Sequence, residues 1–257
     1  FVVIDNTAGN LTITKDQVAA VCDRRYGVGA DGLMLIEKHP SFNFNLEYFN
    51  SDGSQSLCGN GSRAAMHFAS KLGLVNGKGT FKAYDGKHSA EFLSNGLIKL
   101  MLNPVSGIKK IGTDFYLDTG SPHLIRFVED VASYPVYEEG RKIRYDVAFK
   151  PGGTNVNFVE LLGDNTIYVR TYERGVENET LSCGTGVTAA ALAASLKDYH
   201  SPVRIKTRGG DLAVEFKPGH SDLPTAQAGL PIGQAGTFHE ISLIGPAKMV
   251  FEGDLEL

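Results

Sequence analysis

The chain has 257 residues, 42% of them hydrophobic and 21% charged, and 25 Lys and Arg stand against 29 Asp and Glu for a formal net charge of −4. This length and composition suit a soluble globular protein of two domains and exclude a fibrous or disordered chain. No Lys/Arg block stands out, so the footprint of a nucleic-acid binder is missing, and the longest strongly apolar run, around Val187–Leu196, is too short for the roughly 20 residues of a membrane span.

The expected partner is therefore a small molecule, with neither nucleic acid nor membrane; a homodimer is an open option. Three cysteines, an odd number, argue against a disulfide framework and fit a reducing cytoplasm. The chain opens at Phe1 without an initiator Met or a signal-like segment.

In chain order, the first predicted element is a helix over Thr14–Val21, with Thr14 as its cap. A strand follows at Asn45–Phe49. Next comes a helix over Gly61–Leu72, where Ala65, Phe68, Ala69 and Leu72 follow the i, i+3, i+4, i+7 spacing and Gly73 can close the C-terminus. Strands are predicted at His88–Leu93, Leu97–Leu102, Leu124–Val128 and Thr166–Tyr172, set among Gly, Asn, Asp and Pro. Gly186–Lys197 is apolar on nearly every side and reads as a buried helix. Leu212–Phe216 is a further strand, and Pro218–Phe238, rich in Gly, Pro, Ala and His, reads as a long surface loop or hairpin insertion.

An internal repeat organises these elements. Cys58-Gly-Asn-Gly-Ser-Arg-Ala-Ala and Cys183-Gly-Thr-Gly-Val-Thr-Ala-Ala agree at five of eight positions, and their cysteines lie 183 − 58 = 125 residues apart. Each copy follows strand-like sequence and opens a helix, so the fold expected is α/β (α+β), two similar halves that each wrap strands around one central helix. The divide is expected near Asp114–Thr119, giving halves of 1–116 and 117–247.

A lone Cys before a helix is more often a buried small hydrophobe than a catalyst, but here the arrangement occurs twice. At each site the thiol sits where unpaired backbone N–H groups and the helix dipole stabilise negative charge, conditions that bring a thiolate within reach near neutral pH. Gly59, Gly61, Gly184 and Gly186 let the backbone approach a ligand closely. Two such helix N-termini can cradle one carboxylate, stabilising the charge that develops when its Cα–H is lost. One thiolate then takes the proton and the opposite thiol returns another, which is racemisation or epimerisation. The competing readings are a pair of capped helices, a phosphate cradle, and a metal or redox site. No Lys follows either glycine motif as in a phosphate-binding loop, and neither motif has Cys-x-x-Cys or His-ligand spacing. No metal and no cofactor are expected.

These motifs resemble those of the diaminopimelate epimerases. Tyr48-Phe49-Asn50-Ser51-Asp52-Gly53-Ser54 leading into Leu57-Cys58-Gly59-Asn60-Gly61-Ser62-Arg63 is similar to the family's first signature. Tyr172-Glu173-Arg174-Gly175-Val176, running through Glu179-Thr180 to Cys183-Gly184-Thr185-Gly186, is similar to its second. Arg25–Gly32, Gly120-Ser121-Pro122-His123 and Thr154-Asn155-Val156-Asn157-Phe158 extend the likeness collinearly over nearly the whole chain.

The resemblance implies two pseudo-symmetric halves, each a barrel-like, mainly antiparallel sheet around a central helix, with the substrate in the cleft between them. Residues 248–257, with a strand at Lys248–Phe251, return to the first half. It implies cofactor-independent interconversion of LL- and meso-diaminopimelate by Cys58 and Cys183 as acid–base pair. Gly59, Asn60, Gly184 and Thr185 would hold the reacting-centre carboxylate. Glu173 and His123 would stand beside the thiols and the reacting amino group, and Asn50, Asn155 and Arg174 would bind the distal amino-acid end.

Without the family, His123 reads equally as a hydrogen-bonded core histidine, Asn50 as a turn former and Glu173-Arg174 as a solvated charge pair. The sequence departs from the family in two contacts: the family's N-terminal segment supplies a substrate-contacting Asn upstream of a Phe that corresponds to Phe1, and Ser121 stands where the family often has Asn. Two other functions share these features. A proline-racemase-like enzyme uses the same two thiols but follows its first with Gly-His-Gly, and an amino-acid-binding protein would use the same cradles without chemistry.

Overall fold

The computed structural model describes residues 1–219 and 235–256, so the centre of the Pro218–Phe238 stretch lies outside the described residues. The chain forms two compact units, Phe1–Met101 with Gly245–Leu257, and Leu102–Ile244.

The first unit contains strands β1 (Val2–Asp5), β2 (Gly32–Glu37), β3 (Phe44–Asn50), β4 (Lys78–Ala83), β5 (Gly86–Phe92) and β6 (Ile98–Met101), hydrogen-bonded in that order. The β1–β2 and β3–β4 pairs are parallel and the other three antiparallel. Helix α1 (Lys15–Cys22) begins at a capping box: Thr14 Oγ1 accepts from Gln17 N, and Gln17 Oε1 accepts from Thr14 N. It buries Val18, Val21 and Cys22 against Leu33 and Leu35. Burial pushes the Cys22 thiol up, so this third cysteine is a core residue rather than a nucleophile. Helix α2 (Gly59–Lys71) packs on β2, β3 and β6, and touching strands two and six of one sheet requires the sheet to curl over it. Its buried face is Gly59, Gly61, Ser62, Arg63, Ala65, Met66 and Ala69; Phe68 and Leu72, expected on the apolar stripe, are only half-buried.

The second unit is a closed barrel. Its strands are β7 (Val105–Ile111), β8 (Asp114–Asp118), β9 (Pro122–Phe127), β10 (Asn155–Leu162), β11 (Thr166–Glu173), β13 (Val203–Thr207), β14 (Gly210–Pro218) and β15 (Ala235–Gly245), with a short β12 (Asn178–Thr180) paired to β11. The path β15-β14-β13-β11-β10-β9-β8-β7 returns on itself through β7–β15 pairing, in which Ala235 faces Ile108 and Phe238 faces Val105. Only β9–β10 and β11–β13 are parallel.

Inside runs helix α4 (Gly184–Ala194), buried at all eleven positions, its alanines, Val187 and Leu192 packed against Ile125, Val159, Val169, Val214 and Leu243. An eight-stranded barrel has an interior filled by side chains alone, and it admits a helix here because five of the eleven residues are Ala and two are Gly. Helix α3 (Val136–Arg144) lies outside, on β10 and β11. It was not expected from sequence, since it holds a Gly and buries only Val136 and Gly140. Gly140 is what lets it lie so close: a Cβ there would stand 2.4 Å from the Tyr172 Cβ.

The divide after Met101 precedes the 116/117 boundary expected from the repeat, because β7 and most of β8, assigned there to the first half, are staves of the second unit's barrel. Lys248–Phe251 was expected as a strand, yet β15 ends at Gly245 and 246–256 carry no regular structure. Pro218 and Ala235–Phe238, expected in a loop, are strand: Pro218 pairs with Phe238. No described helix is long and apolar enough to cross a membrane.

Candidate active site

In the first unit the Asn50 amide gathers the chain that leads into α2. Its Nδ2 donates to Ser54 O (3.2 Å), Ser54 Oγ (3.0 Å) and Ser56 Oγ (3.1 Å), and Gly53, at φ +77°, turns the chain between them. The structure thus shows Asn50 as the organiser of its own turn. Cys58 then takes the N-cap of α2 with extended backbone, and its Sγ accepts from Gly61 N at 3.3 Å. The sulfur occupies the place of a Ser or Thr cap oxygen at the N–H end of the helix. A Cβ on Gly61 would meet the Cys58 Cβ at 3.3 Å and Met34 Sδ at 3.4 Å, tight but yielding contacts.

In the second unit Cys183 is the N-cap of α4, again extended, and is buried. Its Sγ lies 3.5 Å from Thr185 Oγ1. A Cβ on Gly186 would stand 2.3 Å from Asn157 Oδ1 and 3.3 Å from Cys183 Sγ, so a side chain here must displace the Asn157 amide, a demand that does not apply at Gly61.

His123, fully buried, joins these groups. Its Nε2 lies 2.9 Å from Thr185 Oγ1 and 3.0 Å from Ser121 Oγ, and its Nδ1 lies 3.1 Å from Asn157 Nδ2. Asn157 also donates to Leu124 O (3.1 Å) and accepts from Thr171 Oγ1 (2.9 Å). A carbonyl only accepts, so Asn157 must turn its NH2 towards Leu124 and hence towards the imidazole. Nδ1 is therefore the acceptor and Nε2 carries the hydrogen, which it donates to Thr185 or Ser121. Thr185 keeps its own hydroxyl hydrogen for Cys183 Sγ or for Ser121 Oγ, 3.3 Å away, and a thiolate would attract it. Burial, with Arg174 adding to it, pushes the His123 pKa down to about 3. The ring is neutral throughout the physiological range and acts as a hydrogen-bond donor, not a proton carrier.

Asn155 Oδ1 accepts from Arg174 N (2.8 Å), and its Nδ2 donates to Pro122 O (2.9 Å) and Ser121 Oγ (3.3 Å), tying β9 to the end of β11. Arg174 is half-buried, with Nη1 3.4 Å from Gly152 O. Glu173 Oε2 accepts from Thr180 Oγ1 at 2.8 Å. The second unit therefore brings Cys183, Thr185, His123 and Ser121 into one connected cluster, links Asn155 to it through Ser121, and carries Glu173 and Arg174 at the adjoining end of β11. In the first unit Cys58, Gly59 and Asn60 lie together at the start of α2, and Asn50 holds Ser54 and Ser56 in the chain that leads into it. Sequence reasoning gave no role to Asn157, Thr171 or Thr119, whose Oγ1 holds Thr185 O at 2.9 Å; the available signal was Asn155 and Asn157 alternating on one face of a strand that is otherwise apolar but for Glu160. Among the described residues, no three of His, Cys, Asp or Glu stand where they could hold a metal ion.

Residues 1–107 and 115–228 match the family profile described as diaminopimelate epimerase. The diaminopimelate epimerase of Flavobacterium psychrophilum is 41% identical over 98% of this chain and 94% of its own length, and that of Aquifex aeolicus is 42% identical over 94% and 85%. Among solved structures, a phenazine biosynthesis protein of the PhzF family from Bacillus anthracis superposes with a TM-score of 0.69 at 13% identity, covering 95% of this chain and 89% of that one. A probable proline racemase from Agrobacterium radiobacter superposes at 0.63 and 12%, covering 91% and 81%. At such low identity the structural likeness establishes the fold alone. With a profile that spans most of its length and relatives above 40% identity across it, the chain belongs to the diaminopimelate epimerase family.

Proposed function

We propose that this protein interconverts LL- and meso-2,6-diaminopimelate without a cofactor, in lysine and peptidoglycan-precursor biosynthesis, with Cys58 and Cys183 as its acid–base pair. The observation that carries this reading is the duplicated cysteine N-cap: each unit places a thiol at the start of a helix, the end at which the helix dipole is positive. One thiolate abstracts the α-proton and the other thiol supplies one to the opposite face. The N–H groups of Gly59, Asn60, Gly184 and Thr185 stabilise the carboxylate as charge builds on it. His123, fixed as an Nε2–H donor, supports Cys183 through Thr185. Glu173 acts beside the reacting amino group.

Arg174 takes the distal carboxylate in its planar fork, while Asn155 sets the Arg174 backbone and Asn50 the approach to Cys58. The partner is the small-molecule substrate, with no nucleic acid or membrane, the location is the cytoplasm, where free thiols persist, and the assembly compatible with this reading includes a homodimer. Incubation with LL-diaminopimelate in deuterated water tests the proposal. Formation of the meso isomer with one deuterium at the inverted carbon supports it, whereas binding without α-hydrogen exchange would mark an amino-acid binder and overturn it.

A further inference from the structure

The cap of α2 holds a charge that its counterpart on α4 lacks. Arg63, fifth residue of α2, is only 4% exposed and folds back over the start of its own helix: Nη2 donates to Asn60 Oδ1 at 2.8 Å and Nη1 reaches Gly59 O at 3.4 Å. Its buried Nε has no hydrogen-bond partner, and neither of these bonds is to a carboxylate. A guanidinium withdrawn from water normally stands opposite an anion. The elements around α2 carry Glu37 on β2, Glu47 on β3 and Lys99 on β6, and the helix itself carries His67 and Lys71, yet the acidic group that bears on Arg63 when ionised is the Cys58 thiol. Burial lowers the guanidinium pKa to about 10, which leaves it cationic at neutral pH.

The second copy of the motif has Thr188 at the matching position, and its hydroxyl donates to Gly184 O at 2.9 Å. The same helical carbonyl is reached in both units, by a cation in one and a neutral group in the other. Around Cys183 the hydrogen-bonded chain through Thr185 and the neutral His123 is itself uncharged, and the cation that bears on it is Arg174, which acts on His123.

We propose that Arg63 is a positioning residue for the first thiol: it is the resident counter-charge that keeps Cys58 as the thiolate in the resting protein, while Cys183 rests as the thiol. The same side chain fixes the Asn60 amide with its oxygen towards the guanidinium and its NH2 turned away, as a donor rather than an acceptor. The inference rests on Cys58 being an acid–base thiol, but the asymmetry in resting charge can be read without turnover.

The test uses the full chain with a single thiol, either Cys22→Ala/Cys183→Ala or Cys22→Ala/Cys58→Ala, and follows alkylation by iodoacetamide against pH. Cys58 should react with a lower pH midpoint than Cys183. Arg63→Met should raise the Cys58 midpoint by a pH unit or more, roughly tenfold less thiolate at a given lower pH, and Arg63→Lys should restore most of it. A folded Arg63→Met protein with an unmoved midpoint, or a Cys183 midpoint at or below that of Cys58 with Arg63 intact, overturns the proposal; the second comparison decides even if Arg63→Met does not fold. Failure of the epimerase assay would leave these midpoints where they are, so the two readings fail separately.

Discussion

The substitution Asn157→Asp reverses the hydrogen bond that orients His123 while leaving volume almost unchanged. The carboxylate that replaces the amide could no longer donate to Leu124 O or to Nδ1, which lie 3.1 Å from the amide nitrogen. The Leu124 carbonyl would be left without this donor in a buried site, a loss of about 1–3 kcal/mol. His123 would move its hydrogen to Nδ1 and gain a charge-assisted bond to that carboxylate, recovering part of the loss. Nε2 then becomes an acceptor, and the Thr185 hydroxyl turns to it rather than to Cys183 Sγ. A hydrogen bond to a charged group is worth about 1.5–3 kcal/mol, so kcat/KM for diaminopimelate should fall by about 10- to 150-fold. Two measurements check this: 15N chemical shifts of the His123 ring for the tautomer, and steady-state kinetics. A ring that keeps its hydrogen on Nε2 in the variant refutes the tautomer argument, and an Nδ1–H ring with nearly unchanged kcat/KM refutes the path through Thr185.

Cys58→Ala and Cys183→Ala should each abolish epimerisation with the far-ultraviolet circular dichroism retained, since both faces need a proton-transfer group and such groups contribute about 10²–10⁴-fold; near-normal turnover in either would remove the two-thiol mechanism. Gly186→Ala forces a methyl to within 2.3 Å of Asn157 Oδ1 and should cost about 1–3 kcal/mol in urea unfolding, whereas Gly61→Ala, at 3.3 Å from its nearest neighbour, should stay within about 1 kcal/mol; equal costs would mean the two glycines serve one common purpose. Because the folded pKa of His123 is lowered to about 3 from 6.5, the unfolded chain binds the extra proton, and stability should fall as pH drops below about 6.5 and continue falling towards 3. The slope from this residue is about 1.4 kcal/mol per pH unit, and His123→Gln should flatten the urea-unfolding profile between about pH 6 and 4; an unchanged slope would show that the ring is not held neutral. Arg174→Lys keeps the charge and loses the fork, so kcat/KM should drop for diaminopimelate and scarcely change for lysine, which lacks the distal carboxylate; equal losses on both would move Arg174 out of substrate recognition.

The cysteine motifs were legible because duplication is visible in sequence without any structure, and Thr14 and the apolar run after Cys183 announced α1 and α4 directly. What escaped was set by distant partners. Helix α3 has a Gly at its centre and a mostly charged surface, and its place depends on Tyr172 accommodating Gly140, which no local pattern reveals. Arg63 read as an ordinary helical residue, and only its burial shows that it turns back over Asn60. The boundary between the units was misplaced because β7 is adjacent in sequence to the first unit yet completes its hydrogen bonding with β15. The motif residues expected from the family resemblance lie at the ends of strands and helices, but the groups that hold them, Asn157, Thr171 and Thr119, come from strand interiors or their edges, where polar residues are easily taken for incidental.

The seam between β7 and β15 also dictates when the protein can become itself. Ala235 faces Ile108 across it, a contact between residues 235 − 108 = 127 positions apart, and contacts of such long range are late and slow to form. Helix α4 is made well before that seam, and although β8 to β11, β13 and β14 cover most of it, Ile241 and Leu243 of β15 complete the core around it. A chain emerging from the ribosome therefore carries an incompletely covered helix until β15 arrives, and a protein shortened before residue 235 should aggregate rather than fold into a partial barrel.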